Sequence, residues 1–315
     1  MTAALFKSRL LPLLLFGALA LVPLYASVFD DRFVMLFATR ILIFAIVAVS
    51  LDFILGLGAM VSFGHAAYIG LGAYAVGILA EHDIWDAWIS FPLALLVGGV
   101  FALVTGAISL KTRGVYFIMI TLAFGQMAFY TATSLSAYGG DDGLTMWGRS
   151  EFFGTELFSS DESFYYLVFA CLAGAYLLLC VFSASRFGRV LKGAKQSEPR
   201  LEAMGIDPYR YRLVAFVIAG MIASLAGALM ANQAEFVSPA YMSWHRSGEL
   251  IVMVILGGLG SLHGAIIGSI VYMVLEEVLS GYSEHWRLIF GPLLILVVLY
   301  ARGGLLGMIK GRGEK

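Results

Sequence analysis

Long apolar runs, joined by connections mostly too short to fold by themselves, dominate this chain. They leave it one environment in which to fold. Ten such segments can be read, at about 10–28, 41–59, 63–80, 88–110, 114–134, 164–184, 213–231, 248–258, 262–280 and 287–302. A helix crosses about 30 Å of hydrocarbon with roughly 20 residues, so these segments consume nearly the whole chain. Only 13% of the 315 residues are charged, against about 25% in ordinary soluble domains. A soluble fold of this make-up would lack polar residues to cover its surface. A soluble enzyme, a nucleic-acid-binding domain and a disordered chain are therefore excluded. The expected fold is an all-α integral membrane protein. It is one domain over residues 1–315, a polytopic bundle of about 8–10 transmembrane helices with no linker and no soluble domain.

Three segments need comment. Lys7 and Arg9 before 10–28 resemble the start of a signal peptide, but about 19 apolar residues suit a span. Segment 248–258 is too short to cross alone and runs into Gly257-Gly258-Leu259-Gly260. It reads as a broken or re-entrant helix, which survives at membrane depth only when buried in protein or lining a wet cavity. Segment 287–302 is also short. Cys171 and Cys180 lie nine residues apart in one apolar run, give no disulfide framework or zinc spacing, and read as packing residues.

With the N-terminus placed in the cytoplasm and the segments alternating, the inner face receives 15 of the 20 basic residues. Seven of them, Arg186, Arg189, Lys192, Lys195, Arg200, Arg210 and Arg212, share the loop 185–212. The outer face receives five: Arg32, Arg40, Arg149, Arg246 and Arg287. This obeys the positive-inside rule and puts both termini in the cytoplasm. The outer loop 135–163 is acidic and carries a tight turn, Gly139-Gly140-Asp141-Asp142-Gly143.

Within the inner loop, Ser197 is placed to cap a short helix that starts at Pro199, Glu198 and Glu202 suit its positive end, and Gly205 suits its stop. This is either a solvated basic loop or a docking helix on the cytoplasmic surface. The run Ser62–Gly77 spaces Ala66/Gly70 and Ala73/Gly77 by four, and Gly260, Gly264 and Gly268 form a second small-residue stripe. Such faces let helices approach closely. His65 and His263 beside them read as interior residues, and two histidines specify no metal site. Asp52, Glu249, Glu276 and Glu277 fall within spans, where charge must face protein, water or a helix end. Asp52 reads as a polar interhelical contact or a gate residue. No phosphate-cradling loop, His-Glu-x-x-His or Gly-x-Ser-x-Gly appears, and no basic-aromatic patch suggests nucleic acid. Uphill transport would draw on an ion gradient or another polypeptide.

Several segments together resemble a known family. They are Leu55-Gly56 with Ser62-Phe63-Gly64-His65-Ala66-Ala67-Tyr68-Ile69-Gly70-Leu71-Gly72-Ala73-Tyr74; Lys111-Thr112-Arg113-Gly114-Val115-Tyr116-Phe117 with Thr121-Leu122-Ala123-Phe124-Gly125-Gln126; the outer Gly139–Leu144 turn; Glu202-Ala203-Met204-Gly205-Ile206; and Gly257-Gly258-Leu259-Gly260-Ser261 with Gly264 and Glu276-Glu277. In this order they resemble LivM-type permeases, membrane subunits of branched-chain amino-acid ABC importers.

The resemblance implies a passive gate and not an enzyme, in a bacterial inner (cytoplasmic) membrane. Its implied partners are a second, LivH-type permease subunit, two cytoplasmic ATP-binding subunits and a periplasmic substrate-binding protein. ATP and magnesium are then used by the ATPase partners, and this chain holds no cofactor or metal and binds no nucleic acid. Glu202, Ala203, Met204 and Gly205 would form the ATPase coupling helix. Gly140, Asp141, Asp142 and Gly143 would dock the binding protein. The path or gate would involve Asp52, Ser62, Gly64, His65, Gly70, Gly72, Tyr74, Thr121, Gln126, Gly257, Gly258 and Gly260, whose small residues and exposed backbone suit a zwitterion. Asp52 stands where the family more often has Asn, and Asp142 where Ser or Asn is commoner. A related urea or short-amide importer therefore stays open as to cargo. An ion-coupled secondary transporter and an integral membrane enzyme stay open as other classes.

Overall fold

The computed structural model describes residues 2–152, 160–282, 285, 288–292, 294, 295 and 303–309. The segment read at 287–302 lies largely outside the described residues, as do the side chains of Lys7 and Arg9 and the basic residues Arg287, Arg302, Lys310, Arg312 and Lys315.

The elements are almost all helices: α1 (Thr2–Phe29), α2 (Arg32–Gly58), α3 (His65–Glu81), α4 (Ala87–Ser109), α5 (Val115–Ser134), α6 (Asp161–Ala184), α7 (Arg186–Gln196), α8 (Glu198–Ala203), α9 (Pro208–Ala234), α10 (Trp244–Gly257), α11 (Leu262–Tyr282) and α12 (Gly304–Ile309). Two short strands, β1 (Leu144–Thr145) and β2 (Phe236–Val237), pair antiparallel. Among the described residues, seven helices are long and apolar enough to cross a membrane: α1, α2, α4, α5, α6, α9 and α11. Of the other expected segments, 63–80 and 248–258 fall on α3 and α10, and 287–302 lies largely outside the described residues. Within the described residues, α3 has 17 residues and α10 has 14, and both are shorter than the seven.

Polar caps set helix ends that hydropathy does not see. α2 starts nine residues before its apolar segment because Asp31 accepts a hydrogen bond from Val34 N–H at 3.2 Å. α9 starts at Pro208 because Asp207 accepts from Tyr209 N–H at 3.1 Å and Pro suits the first turn.

α2 is apolar on every side, and such a helix must be buried all round. Every residue from Ile41 to Gly58 is buried, so α2 is the axis of the molecule. Against it pack α9, α6, α11 and α10. α3, α4 and α9 meet at backbone distance. A Cβ on Gly72 would overlap the Ser224 carbonyl, and one on Gly227 would overlap that of Ile69. Ser224 Oγ donates to the Ala94 carbonyl at 2.6 Å.

The periphery is apolar and exposed, as a lipid-facing surface requires. Leu96, Val100 and Leu103 on α4, Tyr116 and Met119 on α5, and Leu177 and Val181 on α6 face outward. α1 lies outermost. Pro23 has no N–H to meet the Leu19 carbonyl one turn back; Tyr165 Oη of α6 donates to that carbonyl at 2.6 Å instead.

Loop contacts gather at two ends. Ala87, Glu151, Leu144 and Val237 meet at one, and Arg113, Glu198 and Arg212 at the other. These are called below the acidic-loop end and the basic-loop end.

Candidate functional site

At the basic-loop end, Asp52 is fully buried in α2 and its Oδ1 accepts from Gly260 N–H at 2.7 Å. Gly258 (φ 116°) and Gly260 (φ 80°) turn the chain from α10 into α11 through left-handed backbone that suits glycine. Gly56 lies one turn beyond Asp52, and a Cβ there would overlap Gly260. Lys195 of α7 donates its ammonium to the Gly56 carbonyl at 2.9 Å. One charged side chain of the basic loop thus reaches the α2 turn that carries the α10–α11 break. Gly257, Gly258 and Gly260 belong to this junction. Gly264 and Gly268 set α11 close against α10, since a Cβ on Gly268 would overlap the Met253 carbonyl.

The Ser62–Tyr74 segment lies deep in the helix packing. His65 is fully buried, with Nε2 3.0 Å from Ser50 Oγ and its ring edge-to-face with Tyr68 at 5.4 Å. Ser247 Oγ accepts from Ala66 N–H at 3.1 Å, tying α10 to the start of α3. Gly64 abuts the Thr121 backbone, Gly70 meets Met242, and Gly72 meets Ser224. Thr121 Oγ1 accepts from Phe63 N–H at 3.3 Å and donates to the Ile118 carbonyl at 2.9 Å. Gln126 is half-buried on the same helix. Ser62 Oγ, His65 Nδ1 and Tyr74 Oη are buried without a hydrogen-bond partner among the described residues.

Beyond α7, the short helix α8 begins one residue earlier than the sequence suggests. Ser197 occupies the N-cap position, but its side chain makes no capping bond there. Glu198 instead turns inward, is buried, and ion-pairs with both Arg113 and Arg212. Gly205 (φ 76°) stops the helix, and Ile206 N–H bonds the Leu201 carbonyl at 3.0 Å. Arg200, Glu202, Ala203, Met204 and Gly205 are left exposed, Met204 at 67%. Hydropathy could not show that Glu198 anchors the loop, because its partners are 85 residues before it and 14 after it in the chain.

The acidic-loop end is built from backbone. β1 pairs with β2, Ala87 N–H donates to the Glu151 carbonyl at 2.8 Å, and Glu151 N–H donates to the Trp85 carbonyl at 2.7 Å. Asn232 Oδ1 of α9 accepts from Ser150 N–H at 2.6 Å. Arg149 holds Asp161 at 2.5 Å and stacks over Phe164 at 4.8 Å, and Arg32 holds the other Asp161 oxygen at 3.0 Å. Gly139, Gly140 and Gly143 have positive φ, and the turn they make presents Asp141 and Asp142 to solvent. Trp147 is 90% exposed beside them.

A cavity of about 320 Å³ opens between α2, α9 and the start of α10, towards the acidic-loop end. Arg40, Arg246, Gln233, Phe44, Ile69 and Met230 line it. The Arg40 and Arg246 guanidinium carbons lie 5.9 and 5.4 Å from the Phe44 ring centre. None of the residues singled out in the sequence for a path or gate lines it. A signal was nonetheless present. Arg32, Arg40, Arg149 and Arg246 are four of the five basic residues on the sparsely basic side. The structure sorts them into two pairs, one on Asp161 and one over Phe44.

Among the described residues, seven apolar helices of spanning length, including α2 with its buried stretch Ile41–Gly58, and lipid-suited faces outside define a multi-pass α-helical membrane protein. Residues 33–299 match the model of the branched-chain amino acid transport system / permease component family, and the chain belongs to that family. It is 27% identical over 296 residues to the high-affinity branched-chain amino acid transport system permease protein LivM of Salmonella typhimurium, covering 87% of this chain and 70% of that protein. It is 24% identical over 285 residues to LivH of the same organism, covering 84% and 91%. The probable LivH of Methanocaldococcus jannaschii is 27% identical over 264 residues, covering 76% and 79%. No solved structure matches the chain.

Proposed function

We propose that this chain is the membrane permease subunit of an ABC importer that carries branched-chain or related apolar amino acids across a bacterial inner membrane. It pairs with a second, LivH-type permease subunit. Two separate ATP-binding subunits supply the energy, using ATP and magnesium, and a periplasmic binding protein delivers the cargo. Both termini and the basic-loop end face the cytoplasm. The observation that carries this reading is helix α8, exposed at Arg200, Glu202, Ala203 and Met204 on the basic end of a chain from this permease family.

The mechanism is alternating access. ATP closes the ATPase pair, which grips α8 at Glu202–Gly205. Movement of α8 passes through α7 and Lys195 to the Gly56 turn of α2 and to the Gly257–Gly260 junction held by Asp52. The Ser62–Tyr74 segment, tied to α10 through Ala66 and Ser247 and to α5 with Thr121 and Gln126 through Phe63, shifts with α10. At the other end, the Gly140–Gly143 turn with Asp141 and Asp142 receives the loaded binding protein.

The test is uptake by the assembled system in vesicles, with labelled leucine, urea and a short amide offered separately. Leucine uptake that needs ATP is expected. Urea or amide uptake without leucine would move the chain to the other cargo class, and ATP-independent uptake by the chain alone would make it a secondary transporter. Glu202→Lys should abolish ATPase association and uptake together, and survival of both would remove α8 from the coupling role.

A further inference from the structure

We infer that the cavity between α2, α9 and α10 is a binding site for the transported amino acid, holding its carboxylate between Arg40 and Arg246 and its ammonium at Gln233. This rests on the proposed import of apolar amino acids and adds a site within this subunit.

The charges come first. An arginine in an apolar helix is costly and calls for a partner or a task. Arg246 has a partner, Glu249 Oε2 at 2.7 Å. Arg40 has no ion-pair or hydrogen-bond partner among the described residues, and it is exposed at the cavity's open edge. The cavity therefore carries one net positive charge, with two guanidinium groups beside the same ring. A carboxylate suits this arrangement, because guanidinium offers it paired donors.

The second element is an acceptor. Gln233 Nε2 donates to the Leu36 carbonyl at 2.7 Å. A carbonyl takes only a donor, so this bond fixes the amide orientation and leaves Oε1 as the other end. Gln233 Oε1 is buried without a partner among the described residues. A buried acceptor without a donor is costly, and an ammonium group would supply one.

The third element is the wall. Phe44, Ile69 and Met230 are apolar and buried, and they line the same cavity as the two polar features. The cavity's volume of about 320 Å³ lies at the small end of ligand pockets, which run from roughly 300 to 1,000 Å³. Carboxylate, ammonium and a compact apolar side chain are the three parts of a branched-chain amino acid. A free fatty acid would leave Gln233 unmet, and an acidic amino acid would place a second carboxylate on the apolar wall.

The decisive experiment measures labelled-leucine binding to the permease–ATPase complex without its binding protein, in nanodiscs, and uptake by the assembled transporter in vesicles, for wild type, Arg40→Ala, Gln233→Leu and Ala234→Trp. Ala234 is exposed and lines the cavity mouth, so the tryptophan fills the site without entering the core and decides the matter if a truncation misfolds. Removing a charged hydrogen-bond partner should weaken leucine binding about 10- to 100-fold, with ATPase association unchanged. Leucine amide, which lacks the carboxylate, should not compete. Wild-type uptake of leucine with wild-type binding and uptake in all three variants would overturn the site while leaving the importer reading intact. Failure of wild type itself to take up leucine would overturn both.

Discussion

The two ends of this molecule are held together in different ways. At the acidic-loop end the chain is stitched by backbone: the β1–β2 pair, the Trp85–Ala87 contacts to Glu151, and Ser150 N–H on Asn232. At the basic-loop end the loop hangs on a few charged side chains, with Glu198 shared by Arg113 and Arg212, and Lys195 on Gly56. A backbone ladder fixes many residues at once and yields only as a unit. A carboxylate between two long guanidinium side chains can serve as a pivot, because turning about it breaks no secondary structure. This difference fits the proposed importer, in which one end receives the binding protein and the other end is the lever.

The largest expected effect breaks the pivot. Glu198→Ala strands Arg212, whose side chain is only 16% exposed. Losing one partner of a buried pair costs about 3–5 kcal/mol. Limited proteolysis should cut the 185–207 loop sooner, and thermal denaturation should begin at a lower temperature. A loop as protected as wild type would show that the anchor is not Glu198.

Asn232→Ala attacks the opposite end. It leaves the buried Ser150 N–H without its acceptor, at a cost of about 1–3 kcal/mol. The loss should register as faster amide exchange across 144–151 with uptake nearly intact. Exchange that spreads into α9 would mean the ladder is not one unit.

Asp52 tests the junction beneath the pivot. Asp52→Asn keeps a side-chain oxygen for Gly260 N–H, whereas Asp52→Ala does not, so only the alanine variant should lose about 1–3 kcal/mol of stability. Equal melting temperatures for the two variants would show that the Gly260 bond contributes nothing.

Salt gives a smaller effect that separates the ends. Arg113 is 70% exposed at its side chain, and roughly 1 M salt shortens screening to about 3 Å. Proteolysis at the basic-loop end should quicken in salt while the β1–β2 end stays unchanged. The smallest effect belongs to Gly148→Ala, since nothing lies within 4 Å of a Cβ there. A shift within about 0.5 kcal/mol is expected, read as an unchanged melting temperature.

Much of the fold was legible because hydrocarbon imposes its rule on sequence directly. Apolar runs of spanning length mark α4 and α6 within a few residues and the ends of α2 and α9 likewise, while the earlier starts of α2 and α9 trace to Asp31 and Asp207. α8 was legible in outline from Pro199 and Gly205, but Ser197 does not cap it. The stripes at Gly72 and Gly264 were legible as small, and only coordinates show them pressed against Ser224 and Gly257. The cavity was not legible. Arg40 and Arg246 are 206 residues apart and come together only through Phe44.

Sequence alone determined that the chain is a helical membrane protein with one basic and one acidic set of loops. Those properties depend on composition along the chain, which needs no partner to be read. Tertiary structure decided which helix is the axis, that Glu198 and Lys195 carry the inner loop, that Asp52 holds a backbone N–H, and that Arg40, Arg246 and Gln233 line a common cavity. Each of those facts is a pairing between distant residues. Its energy depends on separation, burial and direction, none of which exists until the chain has folded.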